Sequence, residues 1–131
     1  MGSLCQLFVL LDLADEVNRR VELALEPLGL SRATFEALRH LAAEGAPTQK
    51  ALAEHAGCAP SNVTRRIDRL EKQGLVERLP DPGDRRVVRA RPTATGRATL
   101  EAAIAALSEL QAALVARLAE AEGRCATDDK V

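Results

Sequence analysis

Aromatic residues are nearly missing from this chain: 131 residues include two Phe and neither Trp nor Tyr. That scarcity removes the stacking platforms on which most single-strand binders hold unpaired bases, while duplex reading by a helix needs no aromatic side chain. Cysteine is also sparse. Cys5, Cys58 and Cys125 lie far apart and form no C-x-x-C pair, so neither a zinc knuckle nor a disulfide framework is indicated, and a reducing cytoplasm is the expected compartment. The two histidines, His40 and His55, lack metal-ligand spacing, and there is neither a nucleophile motif nor a phosphate-binding glycine loop. No enzyme activity, metal or cofactor is therefore expected. The apolar run from Leu7 to Leu11 is too short to span a bilayer and follows no basic residue, so no signal peptide, membrane span or membrane partner is expected either.

What the chain does have is apolar content and segregated charge. A hydrophobic fraction of 47% in this length suffices for one folding unit, taken as residues 1–131, with a core of its own. The formal net charge of −1 hides an uneven distribution: residues 1–57 carry five Lys/Arg against eight Asp/Glu, residues 58–97 ten against five, and residues 98–131 three against six. An enzyme surface gives no reason for a basic middle. A phosphate backbone does, because Arg and Lys that neutralise phosphates release counterions. The competing reading is a solvated basic face.

Within that middle, the stretch from Thr48 to Gly74 reads as a short helix, a turn at Gly57 and a longer basic helix. Thr48 caps the short helix, Gln49 to Ala56, whose Leu52, Ala53 and Ala56 face inward. Pro60 favours the first turn of the long helix. There Val63, Ile67 and Leu70 recur at i, i+4 and i+7 as a buried stripe, and Ser61, Arg65, Arg69 and Lys72 occupy the opposite side. One face packs and the other can meet DNA, which is the pattern of a helix-turn-helix. Two strand-like runs follow, Leu75 to Leu79 and Arg85 to Arg91, separated by the turn residues Pro80 to Asp84. Such a hairpin with an arginine-loaded tip makes the unit a winged helix, whose wing reaches phosphates or the minor groove beside the helix.

Two helices flank this lobe. The first runs from about Leu4 to Leu25, where Pro27 and Gly29 close it, and its apolar residues fill an arc of roughly 160°, wider than an ordinary surface helix shows. Such a helix needs two partners, its own domain and a second subunit, unless it is simply more deeply buried in a monomer. A second helix, capped by Ser31, buries Phe35, Leu38, Leu41 and Ala42 as scaffold. The last helix opens at Thr95-Gly96 and runs to about Glu122, with Leu100, Ile104, Leu107, Leu110, Leu114 and Leu118 in helical rhythm. Its many alanines permit close approach, so it pairs with the first helix in a dimerisation layer. Gly123 is expected to end it before a frayed tail.

The order of elements, together with Val63 to Arg78, Asp81-Pro-Gly-Asp-Arg-Arg86 and Thr93-Ala-Thr-Gly96, resembles the MarR (multiple antibiotic resistance regulator) family of bacterial winged-helix transcription factors over essentially the whole chain. The resemblance implies a mainly α fold with a small β-hairpin wing, dimerisation helices at 4–28 and 96–123, and a DNA-binding lobe at 31–92. It implies a homodimer that reads a palindromic operator in double-stranded DNA, usually as a repressor. Ser61, Asn62, Thr64 and Arg65 match the part of the recognition helix that meets bases and nearby phosphates. Arg69 on the same face and Arg85 at the wing tip join them as DNA-binding candidates. Thr48 and Gln49 match backbone-contacting positions. Asp84 and Arg86 match the wing's Asp-x-Arg signature, and Asp68 matches the acid that orients that arginine. The competing reading is that these are solvated polar side chains, or, for Asp68 and Arg86, a structural ion pair. Three features depart from the family pattern: Pro92 replaces a leucine at the end of the second wing strand, Ala59 replaces a capping residue, and the C-terminal region is short.

The resemblance also implies an effector, often a small aromatic anion bound between the dimerisation helices and the DNA-binding lobe. Arg39 and His40 lie near the implied pocket wall, as candidate ligand-binding residues or as solvated side chains. A rival mode of control is thiol chemistry. Cys5 resembles the reactive cysteine of the organic-hydroperoxide-sensing branch and Cys125 its resolving cysteine, although the tyrosines of that branch are missing here. A winged helix serving only as a protein-interaction module is the third reading. Loss of DNA binding on Arg65→Ala or Arg86→Ala would exclude it.

Overall fold

The structure, a computed structural model, describes the backbone of residues 2–128 and the side chains of residues 4–120, 122 and 123. In chain order the elements are α1 (Gly2–Leu25), a 3₁₀ turn (Glu26–Leu28), α2 (Arg32–Glu44), α3 (Gln49–Ala56), α4 (Pro60–Lys72), β1 (Val76–Pro80), β2 (Val88–Pro92) and α5 (Ala94–Asp128). This is the expected mostly helical fold with one antiparallel hairpin.

The core forms where the apolar stripes of the lobe converge. Ser31 starts α2 through a capping box: its Oγ accepts from the Thr34 backbone N–H at 3.1 Å, and Thr34 Oγ1 accepts from the Ser31 N–H at 2.8 Å. That start turns Phe35, Leu38 and Leu41 inward against Val63, Ile67 and Leu70 of α4. Leu52 and Ala53 of α3, Val76 of β1, Ala90 of β2, and Leu100 and Ala103 of α5 join the cluster, with Leu25 at the end of α1 and Leu75 before β1. Each large side chain buried in this way contributes roughly 1.5–3 kcal/mol.

In the hairpin Val76 pairs with Pro92 and Pro80 with Val88. The second strand therefore begins three residues later than the sequence predicts. Arg85, Arg86 and Val87 belong instead to the wing loop, because the carboxylates of Asp81 and Asp84 bind loop N–H groups that a ladder would otherwise use. Thr48 bridges Arg89, which ties the start of α3 to the outer side of β2.

The lobe is joined to α5 by a close approach. Thr93 Oγ1 accepts from the Gly96 N–H at 3.0 Å and donates to the Gly74 carbonyl at 2.7 Å, so Thr93 caps a helix that starts earlier than Thr95. A Cβ on Gly96 would stand 1.9 Å from the Leu75 carbonyl oxygen. Only glycine fits there.

Helix α5 packs along α1, and Arg117 of α5 pairs with Glu16 of α1. It does not end at Gly123. Good helix formers flank that glycine, and one glycine costs only about 1 kcal/mol against alanine. The segment Ala94–Glu120 is long and apolar enough to cross a membrane by length and composition, a property the run at Leu7 does not have. In the single chain much apolar surface of this layer is open: Leu4, Leu7, Phe8, Leu10 and Leu11 of α1 and Ile104 and Val115 of α5 are exposed.

Candidate nucleic-acid interface

Helices α3 and α4 meet at Gly57, whose φ of 65° is the left-handed value that glycine adopts without strain. The Thr48 Oγ1 accepts from the Ala51 N–H at 3.0 Å and caps α3, and Gln49 begins that helix partly buried. Because Val63, Ile67 and Leu70 are fully buried, the rotation of α4 is set and the remaining faces point outward. Ser61, Asn62, Thr64, Arg65 and Arg69 are all exposed. Among the described residues, no hydrogen bond or ion pair holds the side chains of Ser61, Asn62, Arg65 or Arg69, while Thr64 donates to the Pro60 carbonyl at 3.1 Å. Arginine guanidinium groups left free on such a face can bind guanine O6 and N7 bidentately.

The wing presents a second set of cations. Asp81 Oδ2 accepts from the N–H groups of Gly83 and Asp84, and its Oδ1 accepts from Arg89 Nε at 2.6 Å. The Arg89 hydrogen bond, then that from Gly83, holds the Asp81 carboxyl below the usual carboxylate range. Arg89 also donates to the Ala46 carbonyl at 2.9 Å, which fastens the wing to the α2–α3 connection. At the tip, Asp84 Oδ1 accepts from the Arg86 N–H at 2.9 Å and from its Nε at 3.3 Å. The backbone bond first, then the side-chain bond, lowers the Asp84 pKa. The Arg86 side chain is 90% exposed, and Arg85 beside it is exposed and untied among the described residues.

Asp68 does not pair with Arg86. It binds Arg78 of β1, whose Nη2 donates to Asp68 Oδ1 at 2.6 Å and whose Nη1 donates to Glu71 Oε1 at 2.9 Å. The acid therefore ties α4 to the base of the wing and not to its tip. Both acids of α4 lie one turn apart on the side facing β1, where Arg78 is the nearer cation. Arg78 and Arg89 were not identified from the sequence. Their partners lie in other elements, and no local spacing marks them. Gln73 belongs with them, since its Nε2 donates to the Gly29 carbonyl at 2.6 Å and holds the end of α4 to the α1–α2 connection.

Beneath the lobe, α1, α2 and α5 form an open apolar cleft of about 800 Å³ lined by Leu13, Val17, Phe35, Leu107 and Leu114, with Arg32, Glu36 and Arg39 as charged groups. Arg39 reaches it and lies 6.0 Å from the Phe35 ring centroid. His40 does not line it. Neighbouring helical residues point about 100° apart, and His40 is directed toward α3, where it stacks on His55. Cys58 is partly buried and free, whereas Cys5 is partly buried and disulfide-bonded. The Cys125 side chain lies outside the described residues.

Comparison with known proteins places these features in a family. A profile described as MarR family matches residues 30–88. The chain is 34% identical over 104 residues to an HTH-type transcriptional repressor of Mycobacterium tuberculosis, a match covering 79% of this chain and 75% of that protein. Its backbone superimposes on wild-type apo MarR from E. coli with a TM-score of 0.73 at 27% identity, covering 86% of this chain and 80% of that one. A cysteine-to-serine mutant of that MarR complexed with operator DNA gives 0.72 at 27% identity, covering 84% and 76%. The YusO protein from Bacillus subtilis gives 0.75 at 27% identity, covering 94% and 87%.

Proposed function

The chain belongs to the MarR family, and from that membership we propose that it is a homodimeric transcriptional repressor that binds operator duplex DNA in the cytoplasm and leaves it when a small effector binds. The observation that carries the reading is the pairing of two outward arginine sets on one packed scaffold. Arg65 and Arg69 stand on the exposed face of α4, and Arg85 and Arg86 at the tip of a wing bound to that helix through Arg78. Arg65, with Ser61, Asn62 and Thr64, takes the major groove. Arg86 takes the minor groove, and Thr48 and Gln49 approach the phosphates.

Dimerisation is supported by the open apolar surface of α1 and α5. A second copy covering Leu7, Leu10, Leu11 and Val115 explains why a helix apolar enough for a membrane lies largely uncovered in one chain. The effector site is the apolar cavity between α1, α2 and α5, where Arg39 provides a counter-charge for a carboxylate on a small aromatic ligand.

The decisive experiment is fluorescence anisotropy of reduced protein on duplex DNA from upstream of its own gene, against a shuffled duplex of equal length. Tight, preferential binding that Arg65→Ala relaxes toward the shuffled sequence is expected. Equal affinity for both duplexes would overturn the reading. One observation favours a second mode of control. Cys5 is disulfide-bonded while Cys58 is free. Binding lost on adding an organic hydroperoxide and restored by a thiol reductant would identify thiol control, and indifference to both would leave control to the cavity ligand.

A further inference from the structure

The chain has only two histidines, on different helices, and they lie on one another. His40 of α2 and His55 in the last turn of α3 stack with ring centroids 3.8 Å apart and planes 19° from parallel. They border a cavity of about 510 Å³ where α2, α3 and α4 meet, whose other charged walls are Glu36, Arg39 and Glu44 from α2 and Arg66 from α4. Among the described residues no third ligand makes the pair a metal-binding group. Stacked face to face, the rings share no proton, because each N–H lies in its own ring plane; a charged ring is tolerated against a neutral one, although burial disfavours the charge. Two protons repel, and Arg39 and Arg66 add to the repulsion while Glu36 and Glu44 oppose it. Burial first, then the charges of His55 and Arg39, holds His40 below the usual histidine range, against an upward pull from Glu44.

We propose that the His40–His55 stack is a proton-operated latch: it clamps α3, the first helix of the helix-turn-helix, onto the scaffold helix α2, and acidification through the histidine range releases α3 and weakens DNA binding. The far end of α3 carries Thr48 and Gln49, and Thr48 is bridged to Arg89 of the wing. Movement of α3 therefore disturbs both arms of the interface. The sign follows from proton uptake. The closed stack binds protons less readily than the open state, so closure is fully stabilised above the ordinary histidine pKa and is lost as pH falls below it.

The inference rests on the DNA-binding reading, but the latch is measurable without DNA. The reduced protein is titrated by NMR, following the imidazole C2–H signals of its two histidines. Binding to the upstream duplex is measured by anisotropy at constant ionic strength from about pH 8 to about pH 5.5. The wild type is expected to lose affinity by about tenfold per subunit across this range, the effect of one proton taken up over one pH unit, and so on the order of a hundredfold for the dimer. His40→Phe keeps a stacked ring without a proton and should flatten the profile to about twofold or less, while His55→Gln should return His40 toward its ordinary titration. Either of two results overturns the latch: an undiminished acid loss in His40→Phe, or a wild-type His40 that titrates at the ordinary value. If no variant binds the duplex even near pH 8, the DNA reading fails, and the NMR titration still decides the latch.

Discussion

Replacing Arg86 by Ala gives the sharpest test of how the wing is used. Its side chain is 90% exposed and among the described residues its guanidinium meets only Asp84, itself 39% exposed, through bonds of 3.3 and 3.4 Å. An ion pair so open contributes little to folding, so the variant should keep its melting temperature, and the charge is available to DNA. In a dimer the substitution removes two phosphate-neutralising charges. Each is worth about 0.9 in the slope of log K against log salt, so the slope should fall by roughly 1.8. Over a fourfold rise, from about 50 to about 200 mM, the affinity deficit of the variant should therefore shrink roughly tenfold. Anisotropy titrations of wild type and variant on one duplex at four or five salt concentrations measure this directly. Parallel salt lines would refute the wing assignment, whatever the absolute affinities.

Four further outcomes follow from the same geometry. Gly96→Ala places a methyl group against the Leu75 backbone, which cannot yield as a side chain would, and should lower the melting temperature by on the order of 5–10 °C; an unchanged melt would show that α5 approaches the lobe less closely. Arg78→Lys should bind DNA several-fold more weakly with little loss of stability, because an ammonium cannot fork between Asp68 and Glu71, and full activity in this variant would show that the fork is not needed. Leu11→Glu should give a folded monomer by sedimentation that no longer holds the operator, since the exposed apolar layer would carry a buried charge in the dimer. Ile67→Ala, which empties a fully buried site behind the recognition face, should cost about 2–5 kcal/mol in a denaturant melt.

Much of this protein was legible without coordinates wherever the signal is local and periodic. The stripe Val63, Ile67, Leu70 determines that α4 is a helix and which side of it is buried, and the outward side then follows, with Ser61, Asn62, Arg65 and Arg69 on it. The caps at Ser31 and Thr48 and the turn at Gly57 were readable for the same reason, since each works within a few residues of itself. The start of β2 was not, because loop carboxylates competing for N–H groups leave no trace in an alternating pattern. Nor was the end of α5, where a glycine that usually stops a helix is carried along by its neighbours.

What only the tertiary structure decided are the contacts between elements distant in sequence. It gave Asp68 to Arg78 instead of Arg86, because at the packing distance of α4 and β1 the nearer guanidinium takes the acid. It fastened the wing through Arg89 to Ala46, and it set the backbone of Leu75 where only glycine at position 96 can pass. It turned His40 away from the apolar cavity and onto His55, a pairing of two helices that neither helix announces. Periodicity states which side of a helix is apolar; which partner meets that side, and at what rotation, depends on all the other elements packing at once.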